Sequence, residues 1–284
     1  MSDPVVESSP PLAWRAPRSS GHDATSFEAP PRIPGYRMLR AIGRGRRTCA
    51  WLAWDLNRRA DVVLKLEAAP GLSLQRDCAV AARVQGPHLV QVHGQGRTAT
   101  WAYLAMEYLP GGDLGARIGR SVPPAEALAL LKQAAVALAQ LHRVKLVHRD
   151  VKPSNFLLRA DGSLVLSDFG LAADSGAVDP ASAPGTLFGT PRYVSPEQLG
   201  GEPAAPAADV YSLGVMLHEL LAGHPPFSGE TLMEVLAQHL LAEPQRLPAG
   251  AADLQPLVDR MLCRQPQGRL PDADAVLGLI GQRY

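Results

Sequence analysis

Asn155-Phe156-Leu157-Leu158-Arg159-Ala160-Asp161-Gly162-Ser163-Leu164-Val165-Leu166-Ser167-Asp168-Phe169-Gly170 is the stretch on which the reading of this chain turns. Two short apolar runs flank Asp161-Gly162, and Asp-Gly between such runs is a strong signal for a β-hairpin. With Asp161 and Gly162 as a two-residue loop, counting outward puts Asn155 opposite Asp168 at the open end. Directly opposed residues bring their Cβ atoms to about 5 Å. An amide oxygen and a carboxylate at that separation suit a hard cation such as Mg2+, which keeps water and phosphate oxygens as its other ligands. The same residues also read as an ordinary hairpin with polar ends, and from this stretch alone both readings stand.

Immediately upstream lies His148-Arg149-Asp150-Val151-Lys152-Pro153-Ser154-Asn155. This resembles the catalytic loop of protein kinases, H-R-D-x-x-x-x-N, and Asp168-Phe169-Gly170 resembles the D-F-G that follows it in that family. The other parts of the pattern are present in order. Val62-Val63-Leu64-Lys65 is similar to V-A-I-K, Ser195-Pro196-Glu197 stands for A-P-E, and Arg269 matches the Arg that pairs with its Glu. Asp209-Val-Tyr-Ser-Leu-Gly resembles the buried helix whose Asp anchors the catalytic loop. Met106-Glu107-Tyr108-Leu109-Pro110-Gly111-Gly112-Asp113 looks like a kinase hinge. The resemblance runs from about Tyr36 to the C-terminus.

What the resemblance implies is an ATP-dependent enzyme acting with Mg2+ (or Mn2+). Asp150 would orient a substrate hydroxyl and accept its proton, and Lys152 would stabilise charge on the transferring phosphoryl. Lys65 would hold the α- and β-phosphates, and Asn155 and Asp168 the metal. Backbone groups near Glu107 and Leu109 would hydrogen-bond adenine. Ile42, Gly43, Gly45, Ala50, Val63, Met106, Asp113 and Leu157 complete the implied nucleotide site. Lys152 and Thr190 are the residues that serine/threonine kinases carry at these places, so the expected substrates are protein serines and threonines. The Arg-, Ala- and Pro-rich composition suggests the eukaryotic-like kinases of bacteria. Lysine is scarce: only Lys65, Lys132, Lys145 and Lys152 occur among 28 basic residues, and Lys65 and Lys152 stand where a compact ammonium serves.

Two departures bear on activity. The glycine loop reads Gly43-Arg44-Gly45-Arg46-Arg47-Thr48-Cys49-Ala50, with Thr48 for the third Gly of G-x-G-x-x-G and Ala50 for the Val that covers adenine. A β-branched residue tolerates positive φ poorly. Aligning Gly86-Pro87-His88-Leu89-Val90 with the H-P-N-I-V of kinases puts Asp77 where the partner of Lys65 is a helix Glu. Asp is one methylene shorter, so either the helix sits closer or the pair stretches; a surface position for Asp77 is the other reading. These departures also favour a second function, a scaffold of kinase fold that does not transfer phosphate. On the activation segment, Thr186 is the expected phosphorylation site, with Ser182 as the second choice. Arg149, before the catalytic Asp150, is the expected donor to that phosphate.

Outward from these motifs the chain divides. Residues 1–34 are rich in Pro, Ser and Ala without periodicity and read as a disordered tail. Short strand-like runs at Tyr36–Ile42, Trp51–Trp54, Val62–Leu66, Leu89–His93 and Trp101–Met106 surround one helix, Leu74–Val84. After Pro110-Gly111-Gly112, Leu128, Leu131, Ala135, Leu138 and His142 follow helical spacing. Further helices are expected at Asp209–Ala222, Thr231–Leu241, Ala252–Cys263 and Asp272–Tyr284. The expected fold is α+β and bilobal: a small antiparallel sheet lobe at 35–107, a hinge at 108–112 and a mainly helical lobe at 113–284. A net charge of +1 gives no electrostatic case for nucleic acid or membrane surfaces. No apolar run approaches the roughly 20 residues of a membrane span. Met1–Pro10 lacks the pattern of a signal peptide, and three widely spaced cysteines fit a reducing cytoplasm. No oligomeric state is legible.

Overall fold

A computed structural model describes residues 30–44, 48–69, 73–178 and 190–284. The first lobe is a five-stranded antiparallel sheet of β1 (Tyr36–Arg44), β2 (Thr48–Asp55), β3 (Ala60–Ala68), β4 (Val92–Arg97) and β5 (Trp101–Glu107), in the order β1-β2-β3-β5-β4. Alternation along β3 explains its two faces. Val62, Leu64 and Leu66 are fully buried with Ile33, Cys49, Ala53 and Ala105, beneath Trp51, Trp101 and Tyr103. Val63, Lys65 and Glu67 alternate with them and belong to the opposite face. There α1 (Ser73–Arg83) packs Leu74 against Ala102 and Leu104. The buried Glu67 carboxylate accepts the Leu74 N–H at 3.2 Å, satisfying one of the open donors at the start of α1.

The second lobe is built round two helices. In α2 (Pro124–Arg143), Ala127, Leu130, Leu131, Ala134, Ala135, Leu138 and Leu141 form one buried stripe. The helix α4 (Pro206–Ala222) is buried all round from Ala207 to Leu221. Each fully buried Leu or Val there contributes roughly 1.5–3 kcal/mol relative to exposure. Gly214 lets α4 meet α6 (Gln255–Met261): a Cβ at that place would stand 2.8 Å from the Met261 Cβ. Around them lie α3 (Pro196–Leu199), α5 (Leu232–Leu241) and α7 (Ala273–Arg283), with N-caps Ser195, Thr231 and Asp272. Two small antiparallel pairs complete the lobe. They are β6 (Leu146–Val147) with β9 (Ala173–Asp174), and β7 (Phe156–Leu158) with β8 (Leu164–Leu166). Among the described residues no helix is long and apolar enough to cross a membrane.

Three expectations need correction. The hairpin loop has three residues, not two: Phe156 pairs with Leu166, and the Arg159 N–H reaches the Ser163 carbonyl at 2.9 Å. Gly162, at φ +83°, supplies the left-handed turn residue such a loop needs. This one-residue slip puts Asn155 beside Ser167, whose N–H donates to the Asn155 carbonyl at 2.8 Å. Asp168 takes φ +65°, a left-handed conformation that Asp tolerates better than most residues. The fourth strand begins at Val92, not Leu89. Leu89 and Val90 join the core of the second lobe, and Val90 N–H bonds the Leu166 carbonyl at 2.9 Å. Finally, Ala252–Cys263 is not one helix: a 3-10 turn, Ala249–Leu254, precedes α6, with Pro256 in its first turn.

Candidate active site

Three segments meet on the sheet side of the cleft. Lys65 on β3 points its Nζ at the Asp77 Oδ2 of α1 and at the Asp168 Oδ1, both at 2.8 Å. Asp77 is 3% exposed and also accepts the Phe169 N–H. The shorter carboxylate therefore does not stretch the pair. Besides packing, α1 is tied across by Arg83, which donates to the Asp174 carboxylate at 2.7 Å and the Val144 carbonyl at 2.9 Å. Burial disfavours charge on Lys65, but Asp168 and Asp77 outweigh it and raise its pKa above the ordinary lysine value. Burial likewise pushes the Asp168 carboxyl up, yet Lys65, Lys152 and His148 outweigh it and hold it down at about 2. Its side chain remains 48% exposed, an ionised oxygen donor open to the cleft.

The floor is the loop from His148 to Asn155. Asp209, fully buried in α4, accepts the His148 N–H with Oδ2 and the Arg149 N–H with Oδ1, both at 2.8 Å. His142 Nε2 adds a contact at 3.0 Å. Burial pushes the Asp209 carboxyl up, but His142 and the loop donors prevail and lower its pKa. Arg149 is held at φ +67° and donates from Nε to the Leu171 carbonyl at 2.8 Å. Behind it, Gln198 of α3 donates to the Arg149 carbonyl at 3.0 Å. Asp150 then presents Oδ2 to Lys152 Nζ at 2.6 Å and Oδ1 to the Thr190 hydroxyl at 3.1 Å. Lys152 Nζ also reaches Thr190 Oγ1 at 2.8 Å. Asn155 donates its amide N–H to the Asp150 carbonyl at 2.8 Å, which leaves its oxygen as the atom suited to a cation.

The structure thus brings together Lys65, Asp77, Asp150, Lys152, Asn155, Asp168 and Thr190. The register puts Ala50 beside Gly43 and Lys65, and Val63 beside Met106; Leu157 bridges Asp113. Burial pushes the Asp113 carboxyl up against the opposing N–H groups of Gly115 and Ala116. Ile42 and Leu109 are buried. Gly45, Arg46, Arg47, Ser182 and Thr186 lie outside the described residues. Glu197 and Arg269 form a buried bidentate pair at 2.6 and 3.1 Å, with the guanidinium over the Tyr211 ring. Sequence reasoning missed Arg83, Gln198 and Arg159. Nothing in the spacing marks the first two, and the only signal for Arg159 is its place beside the hairpin turn.

A serine/threonine-protein kinase of Corynebacterium efficiens is 34% identical over 256 residues, 85% of this chain and 49% of that protein. PknA of Corynebacterium glutamicum, named a serine/threonine-protein kinase, is 33% identical over 84% of this chain and 54% of its own length. PknL of Mycobacterium tuberculosis, also named so, is 38% identical over 69% of this chain and 50% of its own. The chain therefore spans about half the length of the curated relatives it matches. The family described as "Protein kinase domain" matches residues 36–277. That match begins at the first residue of β1 and ends inside α7, so it takes in both lobes and the segments that meet in the cleft, and the chain belongs to the protein kinase domain family.

Proposed function

We propose that this chain is a serine/threonine protein kinase that transfers the γ-phosphoryl of ATP to protein hydroxyls and autophosphorylates on its activation segment. The observation that carries the reading is the Asp150–Lys152–Thr190 cluster. It sets a carboxylate acceptor beside an ammonium, on a loop hung from a buried aspartate. Asp150 accepts the proton of the incoming hydroxyl. Lys152, 2.6 Å from it, sits where charge develops on the phosphoryl oxygens. Lys65, kept cationic by its two carboxylates, positions the non-transferring phosphates. Asn155 and Asp168 would hold magnesium, which neutralises phosphate charge when bound. An amide oxygen and an ionised carboxylate are the ligand types that ion takes. In the nucleotide site Ile42, Ala50, Val63, Met106 and Leu157 pack adenine, and the 108–112 segment is the hinge between lobes at 35–107 and 113–284.

The scaffold alternative rested partly on Asp77, and the 2.8 Å pair with Lys65 removes that ground. A cytoplasmic setting is supported by three cysteines that form no disulfide. The test is transfer of labelled phosphate from ATP with Mg2+, followed by mass spectrometry. Wild-type protein should label itself, with phosphate at Thr186 first and Ser182 second. Asp150→Asn should lower the rate about 10²–10⁴-fold with its unfolding temperature unchanged. Equal labelling of both proteins would overturn the reading.

A further inference from the structure

Arg159 follows the last residue of β7, on the rim of the second lobe, and its guanidinium uses three nitrogens on two other segments. Nε donates to Glu107 Oε2 at 3.2 Å and Nη2 to Glu107 Oε1 at 3.0 Å. Nη1 donates to the Pro87 carbonyl at 2.6 Å. Glu107 is the last residue of β5, and Pro87 lies between α1 and β4. The Glu107 carboxylate also accepts the Gln91 N–H at 2.8 Å, while its own N–H returns to the Gln91 carbonyl at 2.9 Å. Next along the chain, Gly111 N–H bonds the Leu158 carbonyl and Leu158 N–H bonds the Gly112 carbonyl, both at 2.9 Å. Gly111 fits so closely that a Cβ there would meet Leu158 at 2.7 Å. The connection between the lobes is thus fastened at both ends to the one hairpin that Asn155 precedes and Asp168 follows.

The chemistry of this fastening is selective. A planar guanidinium can hold both carboxylate oxygens and a carbonyl at fixed angles, whereas a lysine supplies only a point charge. The side chains are 29% and 16% exposed, so the pair is screened less than a surface ion pair. Glu107 begins the segment whose backbone is assigned to adenine. Its side chain is turned away to Arg159, so fixing the side chain also fixes the peptide that follows it.

We propose that Arg159 is a positioning residue for the adenine end of the nucleotide. By clamping Glu107 and the Pro87 carbonyl to the β7–β8 hairpin, it sets the 107–112 segment in its nucleotide-gripping geometry. This deepens the kinase reading and rests on it for the identity of the ligand. The effect belongs to binding of the base and not to the phosphoryl-transfer step, because Arg159 contacts neither Asp150 nor Lys65.

The test measures KM for ATP and kcat, and by calorimetry the affinities of adenosine and of inorganic tripolyphosphate. Arg159→Leu should raise the ATP KM and weaken adenosine binding by about tenfold each, the size of one or two lost charge-assisted bonds. Tripolyphosphate affinity and kcat should stay within about twofold of wild type, since no phosphate-side contact is lost. Arg159→Lys should restore part of the adenosine affinity, and the exchange Arg159→Glu with Glu107→Arg should recover more than either single change. A mere brace of the fold would move tripolyphosphate and kcat along with adenosine, and that pattern overturns the proposal, as does an unchanged adenosine affinity. Adenosine binding is read without catalysis. A wild type that binds adenosine through Arg159 but transfers no phosphate would sink the kinase reading and leave the clamp standing.

Discussion

The floor of the cleft and its sheet-side wall are held by opposite means. The floor comes from one continuous stretch, His148–Asn155, hung on the fully buried Asp209 by two backbone N–H groups. The wall is gathered from β3, α1 and the residue after Ser167, and its joint is a lysine between two carboxylates, one of them half open to water. The floor is therefore part of the core of its lobe, and losing its anchor disturbs folding and chemistry together. The wall is a set of charges that runs from the buried Asp77 through Lys65 to the half-open Asp168, and losing one partner there disturbs chemistry first.

The hardest break of that contrast is Asp209→Ala. It leaves the His148 and Arg149 N–H groups without their carboxylate inside the lobe, and each buried donor left unpaired costs about 1–3 kcal/mol. The expected outcome is a lower midpoint in denaturant unfolding together with loss of phosphoryl transfer. Retained stability with lost activity would make the floor no different from the wall.

On the wall, Lys65→Met should lower kcat about 10²–10³-fold while the unfolding midpoint moves little. Asp77→Ala should cost a similar factor, and the double variant should cost little more than either alone, because the two act as one unit. Losses that multiply would show that Asp77 acts elsewhere than on Lys65.

The smallest expected effect sharpens the comparison through pH. His239 on α5 is 1% exposed, between the Tyr211 hydroxyl at 2.8 Å and the Arg192 carbonyl at 3.1 Å, beside the turn that carries Thr190. Burial holds its pKa down to about 4, against about 6.5 when unfolded. Between those values the unfolded chain binds a proton that the folded chain refuses. Stability therefore falls as pH drops from 6.5 toward 4, by no more than roughly 3 kcal/mol from this group. Asp168 is lowered too, to about 2, by Lys65 and its other cationic neighbours against burial: its contribution is present above about 3.9 and is lost only as pH falls through 2. The window from 6.5 to 4 thus lies above the loss of Asp168, but burial also raises the Asp77 carboxyl toward it and lowers His93 of β4 into it, so His239 is read by its own substitution. Urea unfolding across it should show a shallower slope in His239→Gln than in wild type, with the slope from His218 and His93 remaining, since burial lowers those pKa values too. An unchanged slope would remove His239 from the account.

The sequence by itself determined the parts whose partners lie close along the chain. The hairpin after Asn155 and the stripe of α2 follow from spacing, because local periodicity decides which side chains share a face, whereas the His148–Asn155 loop and the buried α4 were reached by likeness to a family. Asp77 was reached only by likeness to a family, through a motif nine residues further on. Tertiary structure alone decided how Asp77 meets Lys65: a shorter carboxylate suffices when packing and Arg83 bring α1 near. It also decided that Asn155 stands beside Ser167, since one residue more in a turn shifts every partner and both turns leave the same apolar pattern. Leu89 and Val90 left the sheet for the other lobe because burying them in the larger core outweighs two more rungs on an edge strand. Arg159 found Glu107, 52 positions back, by the same logic: where the chain crosses itself is settled by packing, and no local pattern carries that information.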